Sequence, residues 1–434
     1  MHSYIPHLLL KLHYAEEDIG YYHGIISAEH FISCSLILLL TGKHYQNIST
    51  RRLLVALSFL QAAAFLCMSF TSSMTWLAVS VFLTATHILM IPVVDCIVYR
   101  ISSSDNQAMF YNYAVTAPFN MALFLGPALG GFLSFPTEQY RSIVSNEFLK
   151  KYEIFLPNLI LALFMLFVAF LAMNLIPKDM ETRRVNDRTI SEPSESHSLL
   201  KEKENINSAS MYIQLLKLND LRIAIFAQII YSITSQGFLT AFALWSQTHS
   251  HLHSLDYTPS QYGLLMLLAG ILVLPFDVLF VGRSINYLGI KTGLIVYTLL
   301  QMFCISIIVC FHFKIFYLTF GSCTLANSLA RLSSSGCKIA ISTLFYNAVP
   351  SHFMGEFMAM RTLLGHGFNA LGHLIAGSCF AWSLTNAADV SEDALGFPFN
   401  HVFTFYLFAV LLLCSALAQT QLTNQIGSRK IESN

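Results

Sequence analysis

The chain has 434 residues, 55% of them hydrophobic and only 11% charged, and its formal net charge is zero. Soluble globular domains carry about 25% charged residues, so this composition excludes an ordinary soluble fold. The balanced charge gives no nucleic-acid footprint.

The apolar residues come in blocks of about 20 or more, the length a helix needs to cross a hydrocarbon core of ~30 Å. A transmembrane β-barrel would show short alternating segments instead. The blocks predict an all-α membrane protein whose first partner is the lipid bilayer. In chain order, MHSYIPHLLLKL is apolar but too short to span. Eleven spans follow, predicted at 18–42, 51–73, 75–100, 108–135, 155–176, 222–247, 259–282, 289–311, 315–347, 353–383 and 399–422.

Residues 177–221 interrupt this series with KDMETRRVNDRTISEPSESHSLLKEKEN, rich in charge and serine and poor in aromatics. Such a segment cannot bury enough apolar surface to fold, so a disordered linker is predicted. The resulting division is an N-terminal bundle over 1–176 with an incomplete first helix, a linker over 177–221, a C-terminal bundle over 222–422 and a tail over 423–434. One alternate set of loops holds Lys43, Arg51, Arg52, Arg100, the linker's basic residues, Arg283, Lys291, Arg429 and Lys430. The other holds few: Lys11, Arg141, Lys150, Lys151 and Lys314. Basic loops stay cytosolic, which places the linker and tail in the cytosol. The linker's ESHSLL, Glu195 to Leu200, resembles an acidic dileucine signal and favours a vacuolar or lysosomal membrane over the plasma membrane.

Cysteines are scattered, several inside apolar blocks (Cys34, Cys67, Cys304, Cys414), with neither metal spacing nor a disulfide framework. His249, His251 and His253 alternate in a loop that reads as solvated. No phosphate-binding loop or dinucleotide fingerprint is present. No cofactor and no metal are expected, and no paired catalytic constellation suggests an enzyme.

Two motifs recur. GKHYQNISTRR runs from Gly42 to Arg52, with Arg51 beside it, and GRSINYLGIK begins 240 residues later at Gly282, with Arg283 and Gly289. GPALGG at Gly126 is echoed by GHLIAG at Gly372. Two weakly similar bundles in tandem are a transporter layout. Around GPALGG, Ala122, Gly126 and Gly130 repeat every four residues. In lipid, small residues on one helix face allow close packing. Pro127 bends the helix while neighbours re-satisfy the freed carbonyl. With Gly131, these residues predict a seam that holds one side of a pathway shut.

On these motifs the chain resembles the major facilitator superfamily. GPALGG with Ala122 looks like the fifth-helix motif of proton-coupled antiporters. GKHYQNISTRR looks like a worn form of the family's loop signature, with Gln46, Asn47 and Ser49 at its Asp, Arg and Gly positions. Asn286 stands where the second copy might carry Asp, and Val81 where the fourth helix usually carries Arg. The texture of EEDIGYY, GPALGGFLSFP, NAVP, FAWSL and FPFNHVFTFYL is similar to plant zinc-induced-facilitator-like proteins and fungal relatives in the drug:proton antiporter group. The resemblance implies a two-bundle fold around a central cavity, about eleven full helices after a truncated first, and a monomer. It also implies secondary transport of a small solute, exchanged for protons by alternating access. The alternative is a non-transporting relative acting as a membrane sensor or scaffold, to which the worn loop and short first helix point.

Ionisable groups inside hydrocarbon cost at least ~2.5–3.5 kcal/mol on insertion scales and are functional candidates by default. Glu29 lies about eleven residues into its span, roughly 16 Å deep, where a proton-coupling carboxyl is expected. Asp95 and His87 are further proton-coupling candidates. With Gln46 at the motif's Asp position, Asp95 is the expected acidic partner of Arg51 or Arg52. Arg331 and Lys338 are seven apart, two turns along one helix face. The resemblance makes theirs a cavity-lining helix. With Arg361 they are the candidates for holding an anionic or zwitterionic solute or balancing Glu29. Asp277, His30, His366 and His373 are the remaining candidates inside spans.

Overall fold

The computed structural model describes residues 3–41, 50–91, 117–141, 146–176, 219–249, 254–311, 315–348, 354–387 and 397–423. Gly42, Asp95, His251, His253, nearly all of the linker and the tail beyond Thr423 lie outside them. The described residues are helical and contain no strand. A short α1 (Ile5–Lys11) precedes α2 (Ile19–Thr41), α3 (Thr50–Ser69) and α4 (Met74–Thr84). After these come α5 (Ala117–Leu133), α6 (Phe155–Leu175), α7 (Asn219–Gln247) and α8 (Pro259–Phe276). The chain ends in α9 (Ile290–Ile308), α10 (Phe316–Ala348), α11 (Met354–Ala387) and α12 (Phe403–Gln419). Each rod from α2 to α12 falls on one of the eleven expected spans.

Local signals set several boundaries. Ser73 caps α4 by accepting the Trp76 N–H at 3.2 Å. Thr258 and Gln261 form a reciprocal capping box, with Pro259 at the first turn, that starts α8. Two rods are not uniform. Past Thr84, α4 tightens into a 3₁₀ segment over Ala85–Leu89. After Pro275, which lacks an N–H, α8 widens into a π turn over Asp277–Val281 and continues as helix to Leu288. Such breaks inside membrane helices gather at working sites.

Among the described residues, six helices are long and apolar enough to cross a membrane. Their outward faces carry large apolar side chains, such as Leu163, Phe164, Phe167 and Phe170 on α6, each more than half exposed. Contiguous apolar surface of this kind suits lipid, not water. Inside, Trp245, Phe242, Tyr262, Phe405 and Phe408 form the aromatic centre of the buried core.

Two glycine seams join the early helices to the late ones. On α2, Gly20 and Gly24 face Gly377 and the His373 carbonyl of α11; a Cβ added at Gly377 would stand 2.3 Å from the Gly20 carbonyl oxygen. On α5, Gly131 meets the Pro259 carbonyl and Gly263 of α8, and a Cβ on Gly131 would lie 2.2 Å from that oxygen. Both seams sit where α2 and α8 begin and α5 and α11 end, so they close one end of the molecule. Toward the other end Gly126, Gly365 and Gly367 have open space where a Cβ would point.

The closed end carries an ion cluster. Lys11 of α1 donates to Glu138 at 2.6 Å and also to Glu153, and His7 lies 3.5 Å from Glu138. Burial acts to raise the Glu138 carboxyl, but the hydrogen bond and charge of Lys11 outweigh it and hold the carboxyl below its ordinary value. At Glu153 burial wins, and the carboxyl is pushed up despite Lys11. A lowered carboxylate stabilises the fold above its unfolded pKa and loses that contribution as pH falls through the folded value. The contact from α1 to Glu138 is therefore expected to loosen below about pH 4.5. Cleavage of the connection between α1 and α2, residues 12–18, by a protease that does not need lysine should speed up on acidification, and Lys11→Met should show the faster cleavage already at pH 7.

Candidate translocation site

The α4 break is built by its own polar groups. The Thr84 carbonyl accepts from Gln61 Nε2 at 2.7 Å and lies 3.1 Å from His87 Nδ1. The Cys34 thiol donates to the Ala85 carbonyl at 3.6 Å. These side chains converge on carbonyls at the point where the helix type changes. His87 is thereby stacked on His30 of α2, with ring centroids 5.2 Å apart. The neighbouring Phe31 stacks against both His366 and His373 of α11, at 5.7 and 5.1 Å. His373 Nδ1 is 2.5 Å from the Thr240 hydroxyl of α7. A run of histidines thus crosses from α4 through α2 to α11. Sequence reasoning treated them one by one, because residues from three helices meet only through packing.

The second constellation lies among α7, α8 and α10. Arg331 of α10 is surrounded by Tyr231 and Tyr262, the residues that act on its charge. Its Nε and Nη2 are buried and make no hydrogen bond among the described residues. The Tyr262 hydroxyl and Asn327 Oδ1 are in the same condition. Asn327, one turn before Arg331, gives its Nδ2 to the Met266 sulfur at 3.5 Å. A guanidinium presents planar paired donors suited to a carboxylate or similar oxyanion. Here those donors and the Tyr262 phenol remain available for one.

Lys338, two turns on, differs sharply. Its side chain is exposed, and Nζ lies 4.6 Å over the Phe119 ring of α5. Asp277, at the π turn of α8, accepts from Asn120 of α5 and from Ser335 of α10. That carboxylate ties three helices, a role its position near the end of a span did not announce. Arg361 donates to Gln228 of α7 at 3.0 Å and to Ser342 of α10 at 2.9 Å, and rests on the Phe345 ring. These contacts edge a small apolar cleft of about 20 Å³ lined by Ile225, Phe357 and Phe368.

The other expected residues are placed as follows. Glu29 is half-buried, on the α2 stripe that includes exposed Ile25, Ile32 and Leu36, and no hydrogen bond to it is found among the described residues. Arg51 donates to the Met173 carbonyl, near the end of α6; its expected acidic partner Asp95 lies outside the described residues. Arg283 is exposed, as is Gly282. Gly289 has φ +78°, a left-handed value that side chains rarely adopt, and its carbonyl accepts from Gly293 to start α9. The expected seam of Ala122, Gly126 and Gly130 is distributed differently. Ala122 and Gly126 are exposed, and Gly130 packs on Ser3 and Tyr4. The face meeting α8 is formed by Phe124 against Gly270, by Pro127 and Ala128 carbonyls over Gly263, and by Gly131. The four-residue spacing is correct for one face, but α1 occupies its end and α8 takes the adjacent face. His249, from the histidine loop, pairs with Asp256 at 3.0 Å on the surface.

Comparison with known proteins agrees with this architecture. The sequence pattern of the Major Facilitator Superfamily matches residues 3–373. A probable peptide/nitrate transporter of Arabidopsis thaliana is 24% identical over 409 residues, spanning 91% of this chain and 81% of that protein. Protein ZINC INDUCED FACILITATOR-LIKE 1 of the same plant is 23% identical over 423 residues, spanning 92% and 82%. Among solved structures, the fold is similar to a bacterial homologue of the human lysosomal transporter Spinster in an inward-facing, unoccupied conformation. That likeness has a TM-score of 0.69 at 12% identity and covers 98% of this chain and 92% of the other. It is also similar to a D-xylose–proton symporter, with a TM-score of 0.68 at 12% identity, covering 96% and 91%. The chain belongs to the Major Facilitator Superfamily, a family of membrane solute transporters and not of enzymes.

Proposed function

We propose that the protein exchanges a small anionic or zwitterionic solute for protons by alternating closure of its two bundles. The observation that carries this reading is Arg331, a half-buried cation two of whose donor nitrogens are buried and unengaged among the described residues, beside Tyr262 and Asn327. A lone buried charge is costly, and a solute oxyanion offsets that cost while it is bound. The glycine seams supply closure at one end, and Lys338 over Phe119 and Asp277 with Asn120 supply breakable contacts between α5 and the later helices. The name of the Arabidopsis relative, peptide/nitrate transporter, fits solutes bearing anionic oxygens. The linker's ESHSLL supports placement in a vacuolar or lysosomal membrane, with the linker in the cytosol.

Glu29 is the proposed proton site: a carboxyl at mid-membrane depth with no hydrogen bond or ion pair found among the described residues. In vesicles loaded with a pH-sensitive dye, Glu29→Gln is expected to lose solute-driven proton movement by at least tenfold while retaining wild-type melting behaviour. Unchanged proton movement in that variant would move the coupling role off Glu29.

A further inference from the structure

We propose that His30, Cys34 and His87 form an intramembrane site for one thiophilic d¹⁰ metal ion, zinc(II) or copper(I). The proposal rests on placement. His30 and Cys34 are four apart on α2, so their side chains lie one above the other on a single face. His87 is brought against them by the 3₁₀ segment of α4. One ligand atom from each of the three lies within 4.8 Å of the others. Metal–nitrogen bonds of about 2.0–2.1 Å and a metal–sulfur bond of about 2.3 Å require donors roughly 3.3–3.8 Å apart. Side-chain rotation of about 1 Å closes that difference, without movement of either helix.

The hydrogen bonds already present set the ring nitrogens for this role. Thr84 offers a carbonyl to His87 Nδ1, so that nitrogen carries the proton and Nε2 keeps its lone pair. The same carbonyl is held by Gln61. This is the outer contact that orients metal-bound histidines. On His30, Nδ1 is buried with no hydrogen-bond partner among the described residues. Two imidazoles and one thiolate are a soft-to-borderline donor set, which disfavours magnesium and calcium. Binding breaks the Cys34 S–H bond, forms a sulfur–metal bond and releases one proton to solution. The thiol's contact with the Ala85 carbonyl is lost in the same step. On the facing helix α11, His366 stacks on Phe31 with a buried, unpartnered Nδ1, placing a further nitrogen on the other side of the bundle interface.

The test uses the full-length protein in detergent, reduced, exposed to zinc(II) or copper(I), desalted and analysed for bound metal. Wild type is expected to retain about one ion per chain, as a single closed ligand set would. Maleimide modification of the Cys34 peptide, followed by mass spectrometry, is expected to slow at least tenfold in the presence of the ion. Cys34→Ser and His87→Asn each preserve a donor for the Ala85 or Thr84 carbonyl, so both should fold. Each is expected to bind about 100-fold more weakly, at least the loss seen for outer-shell changes. Failure of wild type to retain either ion overturns the proposal. So does Cys34→Ser binding as tightly as wild type, which would place the metal elsewhere, as at His249. If a variant misfolds, the wild-type protection of Cys34 decides the matter alone.

Discussion

Gly377→Val is expected to cut the initial transport rate at least tenfold while leaving the protein folded in the membrane. The new Cβ would fall 2.3 Å from the Gly20 carbonyl oxygen and 2.8 Å from the Gly24 Cα. Both are backbone atoms of α2, so nothing flexible can give way. Over-packing a tight contact costs about 1–3 kcal/mol. At about 1.4 kcal/mol per tenfold, the closed arrangement of this end loses roughly 5- to 150-fold in population. The seam lies between α2 among the early helices and α11 among the late ones. Gly365→Val on the same helix is the control. Its Cβ meets nothing within 4 Å, and transport there should stay within about twofold of wild type. Equal loss in both variants would show that α11 tolerates no β-branched residue and would remove the seam from the mechanism.

Arg331→Met is expected to abolish solute exchange and yet leave thermal stability unchanged or raised. A structural arginine with fixed partners would behave the opposite way, since removing one partner of a buried pair costs about 3–5 kcal/mol. Arg331 has two buried nitrogens with no partner among the described residues, so methionine of similar length removes a desolvated charge and loses little. Transport should fall at least 100-fold, and Arg331→Lys should recover only part of it, because an ammonium lacks the paired donors. A variant that melts well below wild type would mean that Arg331 holds the bundle together. The two substitutions act at different places, one on closure and the other on solute, so their effects on solute affinity should separate. Gly377→Val should change affinity little compared with rate, whereas Arg331→Met should lose binding itself.

Much of this architecture was legible in the residues because bilayer thickness fixes helix length. Eleven apolar blocks became eleven rods, and the Thr258–Gln261 box and Ser73 cap mark their starts by local chemistry. The glycine seam on α5 was legible as a feature but not in its direction. Four-residue spacing identifies a face, yet the position of α1 and α8 decides which face meets what, and that information is not local. The same limit applies to Arg331 and Lys338. They share a face two turns apart, but one is enclosed by Tyr231 and Tyr262 and the other stands exposed over Phe119. The break in α4 left no proline or glycine among Ala85–Leu89 to betray it, so His87 read as an isolated residue. The four-residue spacing of His30 and Cys34 carries no metal reading by itself; His87 joins them only through packing between α2 and α4.

The central claim is that this fold moves an anionic solute past Arg331 in exchange for protons. The direct measurement is proton movement in vesicles containing the purified wild-type chain, after addition of nitrate, a dipeptide or a dicarboxylate outside. The account predicts saturable proton movement with at least one of these solutes, lost in Arg331→Met vesicles of equal protein content. No proton movement with any of them, from protein whose helical spectrum and melting are intact, would contradict it.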